Sequence, residues 1–517
     1  MPIKILMPSL KNYLLFLSVL FTVLSLSQFS LSYLGLKLSF NGIFDSDAAF
    51  LAVLIEDILR RSGDIRNWHL AHVLFLFPDF LLYLILSLFS QSTFWVSYAF
   101  LIGQIIICIW ATSYFLSSFI HQILAIFFAT LSTLWTLQLG LNLLSPFDLS
   151  FTIVNHFGAY ILLLLEMGLF FRILQSNDLS QKKLALFFCL VLIANLSDKL
   201  LLLHFILPAG AICLYQYLHD QMSLAKFKKL LFIMALATIG SMVIIKLLIT
   251  NAAHPSASLG LDNAKNSFAN IINHFNASAF KNSPIFWVIP GTYLVILGVL
   301  FIGHGPKHVF LNTYQRISLP IQFFLFLSGF TLLVVIFSNW GFAPRYAIPV
   351  FLLPIVLILP IAYILSKKQI PAINSVLAII GSVIVLQGIY QQYQGYQSTQ
   401  LHSDFYPPEM HCIDTFIQEK SLKHGIAGYW TAKKFQALSK QTITLAQYQR
   451  PFLTRDYWET NATFFRPTYQ FAITSDADPQ GNSIDTNFLK IKNPALKMHD
   501  CKPYFLYYVD DFQLKVN

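Results

Sequence analysis

Two aspartates one residue apart, Asp45 and Asp47, stand in the run FNGIFDSDAAFLAVLIEDILRRSGDIRNWHLAHVLFLFPDF, directly after the first long apolar stretch. A carboxylate can take a proton from a hydroxyl, and a pair of them can offer oxygens to a hard cation such as Mg²⁺ or Mn²⁺. Much later, NWGFAPRYAIPVFLLP places Arg345 and Tyr346 directly before another apolar run. A guanidinium forks onto phosphate oxygens; an ordinary Arg/Tyr anchor at a membrane interface is the alternative reading of this pair.

Lesser candidates surround these two. Trp68, His69 and His72 lead into the second apolar run, and Asp79 follows Pro78 just inside it. An ionisable group at membrane depth costs roughly 3 kcal/mol on insertion scales, which marks Asp79 for function unless the span end is wetted. His156 opens a later run in SPFDLSFTIVNHFGAY, where it can meet an acceptor or a phosphate, or simply serve the helix start. NLSDKLLLLHF sets Asp198 and Lys199 side by side in apolar sequence. Lys199 is a phosphate contact if the pair forms a re-entrant turn, and a loop residue otherwise.

The elements that must position these residues are membrane spans. The chain has 517 residues, 56% hydrophobic and 11% charged, against roughly 25% charged in an average soluble domain. Apolar runs long enough to cross a hydrocarbon core of about 30 Å as helices lie near 12–33, 70–90, 94–116, 118–140, 152–174, 184–203, 204–218, 228–250, 286–303, 317–338, 347–366 and 370–390. The formal charge of +10 sits in short clusters between them, SQKK, AKFKK, GPKHVFLNTYQR and SKK. That pattern marks cytoplasmic loops rather than a nucleic-acid surface. With Lys4 and Lys11 before the first run, the N-terminus is expected inside, and the first run is an uncleaved span. Propagated from both ends, this puts the polar interruptions 36–69 and 251–285 and everything after 390 on the non-cytoplasmic face. An inside start and an outside end require an odd number of spans, so about 11–13 are expected.

Within the first interruption, DAAFLAVLIEDILRRSG has helical spacing, with Phe50, Leu51, Leu54, Ile55 and Ile58 on one side and Glu56, Asp57, Arg60 and Arg61 largely on the other. This predicts an amphipathic helix along the membrane surface. Asp47 stands where an N-cap would, and capping accounts for one aspartate but not for two. The expected organisation is a membrane bundle over 1–390 and a soluble domain over 391–517. In the tail, GIAGYWTAKKFQALSKQTITLAQ reads as turn, helix and strand, and TYQFAITS and PYFLYYV read as strands, which predicts a small α/β or α+β fold. No nucleophile elbow, phosphate loop, zinc set or dinucleotide fingerprint is present in it. Cys412 and Cys501 can pair if the tail is outside the cytoplasm. Asn276 and Asn461 head glycosylation sequons that matter only in a glycosylating secretory pathway.

An aspartate pair in the first outward loop, then an interfacial helix, many spans and an outward terminal domain, resembles the GT-C superfamily of membrane glycosyltransferases. The run SDAAFLAVLIEDI, the Trp after it and FPDF are similar to bacterial members in which a Trp and an FPD element close that loop. Arg345, Tyr346 and Pro349 are similar to an Arg-Tyr element with a following Pro found in many members. The resemblance implies an all-α polytopic GT-C-like bundle and a sugar taken from a polyprenyl-phosphate carrier, with a first-loop acidic residue at the catalytic centre. The expected reaction is transfer to a lipid, glycan or protein acceptor on the outer face of a bacterial-type cytoplasmic membrane, with inversion. Asp45 or Asp47 is the expected base or metal ligand. Arg345 and Tyr346, with Lys199, His156, Asp79, His72 and Trp68, are the expected substrate contacts. Members differ in whether the acidic residues are adjacent or single, which leaves a requirement for Mg²⁺ or Mn²⁺ open. The competing reading is a transporter or flippase for a lipid-linked or anionic substrate, with Glu166, Lys246 and the Asp198/Lys199 pair on its path.

Overall fold

The structure is a computed structural model that describes residues 8–38, 40–70, 73–142, 145–176, 179–248, 260–276, 289–295, 311–338, 343–366, 371–398, 400–450, 452–475 and 484–516. His72 and most of 251–285 and 286–303 lie outside these residues. Among them, seven helices are long and apolar enough to cross a membrane: Lys11–Leu34, Thr93–Leu116, Gln122–Leu141, Phe157–Gln175, Leu224–Leu248, Ser318–Phe337 and Pro344–Ile364. Three apolar helices are shorter, Leu76–Ser87, Leu202–Leu218 and Gly381–Tyr390.

A helix in lipid must satisfy its own polar groups. The first helix does so with Ser18 and Ser25, whose hydroxyls donate to Leu14 O and Phe21 O one turn back, each at 2.8 Å. Phe157–Gln175 is buried along nearly its whole length and forms the centre of the bundle. Phe170 and Phe171 pack there against Phe187, Phe205 and Phe323, with ring centroids 5.6–6.3 Å apart. Such rings fill large volumes without leaving polar atoms unmatched.

Two expected spans are altered by local chemistry. The run at 70–90 gives a helix only from Leu76, because Phe75 takes a left-handed conformation and Phe77 is non-helical. The freed amides of Phe75 and Phe77 donate to Ser197 O and Ser197 Oγ, both at 3.0 Å. The stretch 184–218 breaks at Asp198, which ends the Gln181–Ser197 helix and accepts the Leu200 amide at 2.9 Å before Leu202–Leu218 begins. In the second polar interruption, Leu261–Asn276 is a helix held against Leu311–Phe337 through Ser267 Oγ donating to Val335 O.

The C-terminal unit is α/β. Its six-stranded sheet has the order Thr454–Arg455, Thr444–Gln449, His424–Ala427, Phe471–Ser475, Tyr504–Tyr508, Lys497–Cys501. The three central strands are parallel and the flanking ones antiparallel. Cys412 and Cys501 form a disulfide that ties the Pro408–Glu419 helix to the last strand of that order.

The Ser46–Arg60 helix departs from expectation. It does not simply lie on the membrane: Ser46, Ala48–Ile55 and Asp57 are all buried, because the Tyr429–Leu438 helix of the C-terminal unit packs on it. Ser46 Oγ donates to Tyr429 O at 2.7 Å, and Arg61 donates to Ile443 O at 2.8 Å. Trp68–His69 pairs antiparallel with Thr460–Asn461. The first loop is thus a wedge between the bundle and the C-terminal unit.

Candidate functional site

The roles of the two aspartates at the wedge's tip are reversed from the sequence reading. Asp45, not Asp47, is the N-cap: its Oδ1 accepts the Ala48 amide at 2.8 Å. One free amide of the first turn is satisfied that way. Burial, then the neighbouring Asp47 charge, pushes the Asp45 carboxyl up to about 7. Asp47 falls in the first helical turn with its side chain free to leave the helix. Its Oδ2 meets Arg345 Nη1 at 3.2 Å, across 298 residues of sequence. Its Oδ1 accepts from the Tyr429 hydroxyl at 2.5 Å, across 382 residues.

Arg345 sits in a single 3₁₀ turn, Pro344–Ala347, that opens the Ile348–Ser366 helix. Its side chain is 39% exposed and that of Asp47 23%, so a ligand can reach both. The guanidinium lies 5.2 Å from the centroid of the Tyr346 ring, and Nε has no acceptor among the described residues. An ion pair as open as this one is worth about 0–1 kcal/mol. A phosphate, offering several charge-assisted acceptors, can therefore take Arg345 away from Asp47.

A second polar group lies beside Tyr346. His204 Nε2 is 3.1 Å from Tyr346 O, and the His156 ring is 5.5 Å from the Tyr346 ring. His156 Nδ1 is 2.5 Å from Asp198 Oδ2. Asp79 is buried, with Oδ1 lacking a partner among the described residues. A Cβ on Gly158 would collide with the Asp79 carboxylate, so the glycine after Phe157 is what lets these two segments meet. The Asp198/Lys199 pair divides: Asp198 turns inward, while Lys199 is exposed. Among the described residues no hydrogen bond or ion pair joins the Lys199 side chain to this group.

The C-terminal unit closes the site from the other side. Tyr429, at the start of its helix, also places its hydroxyl 2.8 Å from Glu459 Oε2. Glu459 is buried, and burial followed by repulsion from Asp47 pushes it up to about 8. Behind it, burial pushes the fully buried Lys433 amine down to about 7. Trp68 is occupied structurally: its Nε1 donates to Asp57 Oδ2 at 2.8 Å, and Asn461 Nδ2 donates to the same oxygen at 2.8 Å. That contact accounts for Trp68 without a substrate, and Asn461 is buried in it.

Of the sequence candidates, the structure gathers Asp47, Arg345 and Tyr346 at one place, with His156 beside Tyr346 and Asp45 on the same helix end. It adds His204, Tyr429, Glu459 and Lys433, which sequence reasoning missed. A histidine in an apolar run and an acid in the short DYWE turn between two strands carry no pattern of their own; only the folded contact reveals them. The donor set also bears on a divalent ion. Asp47 already holds a guanidinium and a phenol, and Asp45 an amide, so Mg²⁺ or Mn²⁺ would have to displace an arginine from the same carboxylate.

Neither a protein-family profile nor a curated protein sequence matches the chain. Among solved structures, ArnT from Cupriavidus metallidurans, crystallised with undecaprenyl phosphate, is similar at a TM-score of 0.52. The identity is 11%, over 96% of this chain and 98% of that one. At that identity the likeness speaks for architecture alone, and the chain shares that protein's overall fold across nearly its whole length: a polytopic helical membrane bundle carrying a small C-terminal unit.

Proposed function

We propose that the protein is a membrane glycosyltransferase that moves a sugar from a polyprenyl-phosphate donor to an acceptor hydroxyl on the non-cytoplasmic face, inverting the anomeric centre. The observation that carries this reading is the 3.2 Å contact between Asp47 and Arg345. It brings a base and a phosphate clamp together in an opening that a ligand can enter. The undecaprenyl phosphate in the ArnT crystal fits such a donor.

The proposed sequence begins when the donor phosphate takes over Arg345, leaving Asp47 Oδ2 unpaired. Asp47 accepts the proton of the acceptor hydroxyl, whose oxygen forms a bond to the anomeric carbon. The bond from that carbon to the phosphate oxygen breaks, and the electron pair departs on polyprenyl phosphate. Arg345 holds the charge that builds there. His156, paired with Asp198, lies beside the Tyr346 ring, where it can add a contact to the donor phosphate. No step is routed through a metal. The disulfide Cys412–Cys501 supports placing the C-terminal unit outside the cytoplasm, since disulfides persist in oxidising compartments. We take 1–390 as the transferase bundle and 391–517 as the outward unit, in a bacterial-type inner membrane.

Reconstituted vesicles separate this reading from a transporter. With a radiolabelled polyprenyl-phosphate sugar pool and added acceptor membranes, the transferase converts label into a new glycoside. Movement of label across the bilayer with no new glycoside would establish the transporter instead.

A further inference from the structure

Behind Asp47 lies a proton-counting problem. The Tyr429 hydroxyl is 2.5 Å from Asp47 Oδ1 and 2.8 Å from Glu459 Oε2. A phenol carries one proton and donates it once. The other short contact is a hydrogen bond only if that carboxyl brings its own proton. The surroundings decide which one does. Asp47 faces the Arg345 guanidinium at 3.2 Å and is partly open to water, both of which favour its charged form. Glu459 is buried; its cationic neighbour, Lys433, is itself buried to 0% exposure, where an ammonium is disfavoured.

Resting on the reading of Asp47 as the base, we infer that Tyr429 and Glu459 are positioning residues of the catalytic centre. Protonated Glu459 donates to Tyr429 and Tyr429 donates to Asp47, so that Oδ1 is fixed while Oδ2 faces the acceptor. The C-terminal unit is then part of the machinery rather than a cover over it. The chain needs no proton to travel along it: the acceptor's proton ends on Asp47 Oδ2 and leaves to water.

The pH dependence has a definite sign. The groups facing Glu459 are Asp47 and Asp45, which raise its titration, and Lys433 and the Tyr429 hydroxyl, which lower it; burial is the largest effect and the balance is about 8. Below that pH the chain is complete. Above it Glu459 loses its proton, Tyr429 cannot serve two carboxylates, and a second negative charge bears on Asp47. Activity falls on the alkaline side.

The test measures sugar transfer against pH in membranes carrying full-length protein at matched levels, from a polyprenyl-phosphate sugar pool radiolabelled in the sugar. The variants are Glu459→Ala, Glu459→Gln, Tyr429→Phe and Asp47→Asn. Glu459→Ala and Tyr429→Phe are expected to lower kcat about 10- to 100-fold, the usual loss for an outer partner, with little change in donor KM. Glu459→Gln, which keeps a neutral donor but cannot ionise, should recover most of that loss and abolish the alkaline fall. A Glu459→Gln enzyme as slow as Glu459→Ala at neutral pH, or one that keeps the wild-type alkaline fall, overturns the inference and leaves the transferase standing. Full activity in Asp47→Asn sinks the underlying reading itself.

Discussion

Asp47 differs from Asp45 in what its oxygens touch, and the difference is measurable. Asp45 spends its carboxylate on the Ala48 amide, and asparagine caps a helix about as well as aspartate. Asp45→Asn should therefore keep most of the transfer rate. Asp47→Asn removes the base and should lower kcat by about 10²- to 10⁴-fold. A radiolabel transfer assay at equal expression distinguishes the two; equal losses would show that the D-x-D pair acts as a unit. Because Arg345 occupies the place a cation would take, exhaustive treatment with a chelator should leave transfer unchanged, and added Mg²⁺ or Mn²⁺ should not raise it. Of this site, Asp45, Asp47 and Arg345 were legible from type and position along the chain. Which aspartate caps and which reacts was not, because a shift of two residues along one helical turn decides it.

At the level of elements, the joint between the first loop and the C-terminal unit turns on Asp57. It receives Trp68 Nε1 and Asn461 Nδ2, and a Cβ on Gly63 would strike its carboxylate. Asp57→Ala orphans two buried donors, at about 1–3 kcal/mol each. It should lower the melting temperature and loosen the C-terminal unit, read as faster proteolysis between the spans and the terminal sheet. The Glu56–Arg60 ion pair on the same helix is partly exposed and worth no more than about 1 kcal/mol, so Glu56→Gln should melt within error of wild type. The amphipathic pattern of Ser46–Arg60 was readable. Its burial on both sides was not, since an acidic and basic face looks the same whether it meets water or the backbone of another unit.

For the whole molecule, the apolar runs announced a membrane bundle and the turn-rich tail a small α/β or α+β unit, and the architecture matches over nearly all of the chain. Residues 47 and 345 were assigned to one site only through the family resemblance, and nothing in the sequence linked either of them to residue 429. The disulfide closes a separation of 89 residues, for which the chain-entropy estimate is about 4.6 kcal/mol. Cys412→Ser should destabilise the C-terminal unit by that order in a denaturant titration. In intact spheroplasts, a membrane-impermeant thiol reagent should label the partly exposed Cys412 only after reduction; protection of Cys412 after reduction, lifted when the membrane is permeabilised, would place the tail in the cytoplasm. In the proposed reaction Asp47 and Arg345 act at opposite ends of the donor's sugar–phosphate bond. The most direct measurement is donor binding and kcat in parallel for Asp47→Asn and Arg345→Gln in purified, reconstituted protein. Asp47→Asn should bind donor as tightly as wild type and lose about 10²- to 10⁴-fold in kcat, while Arg345→Gln should lose donor affinity as well as rate. Undiminished donor binding and turnover in Arg345→Gln would contradict the proposed reaction.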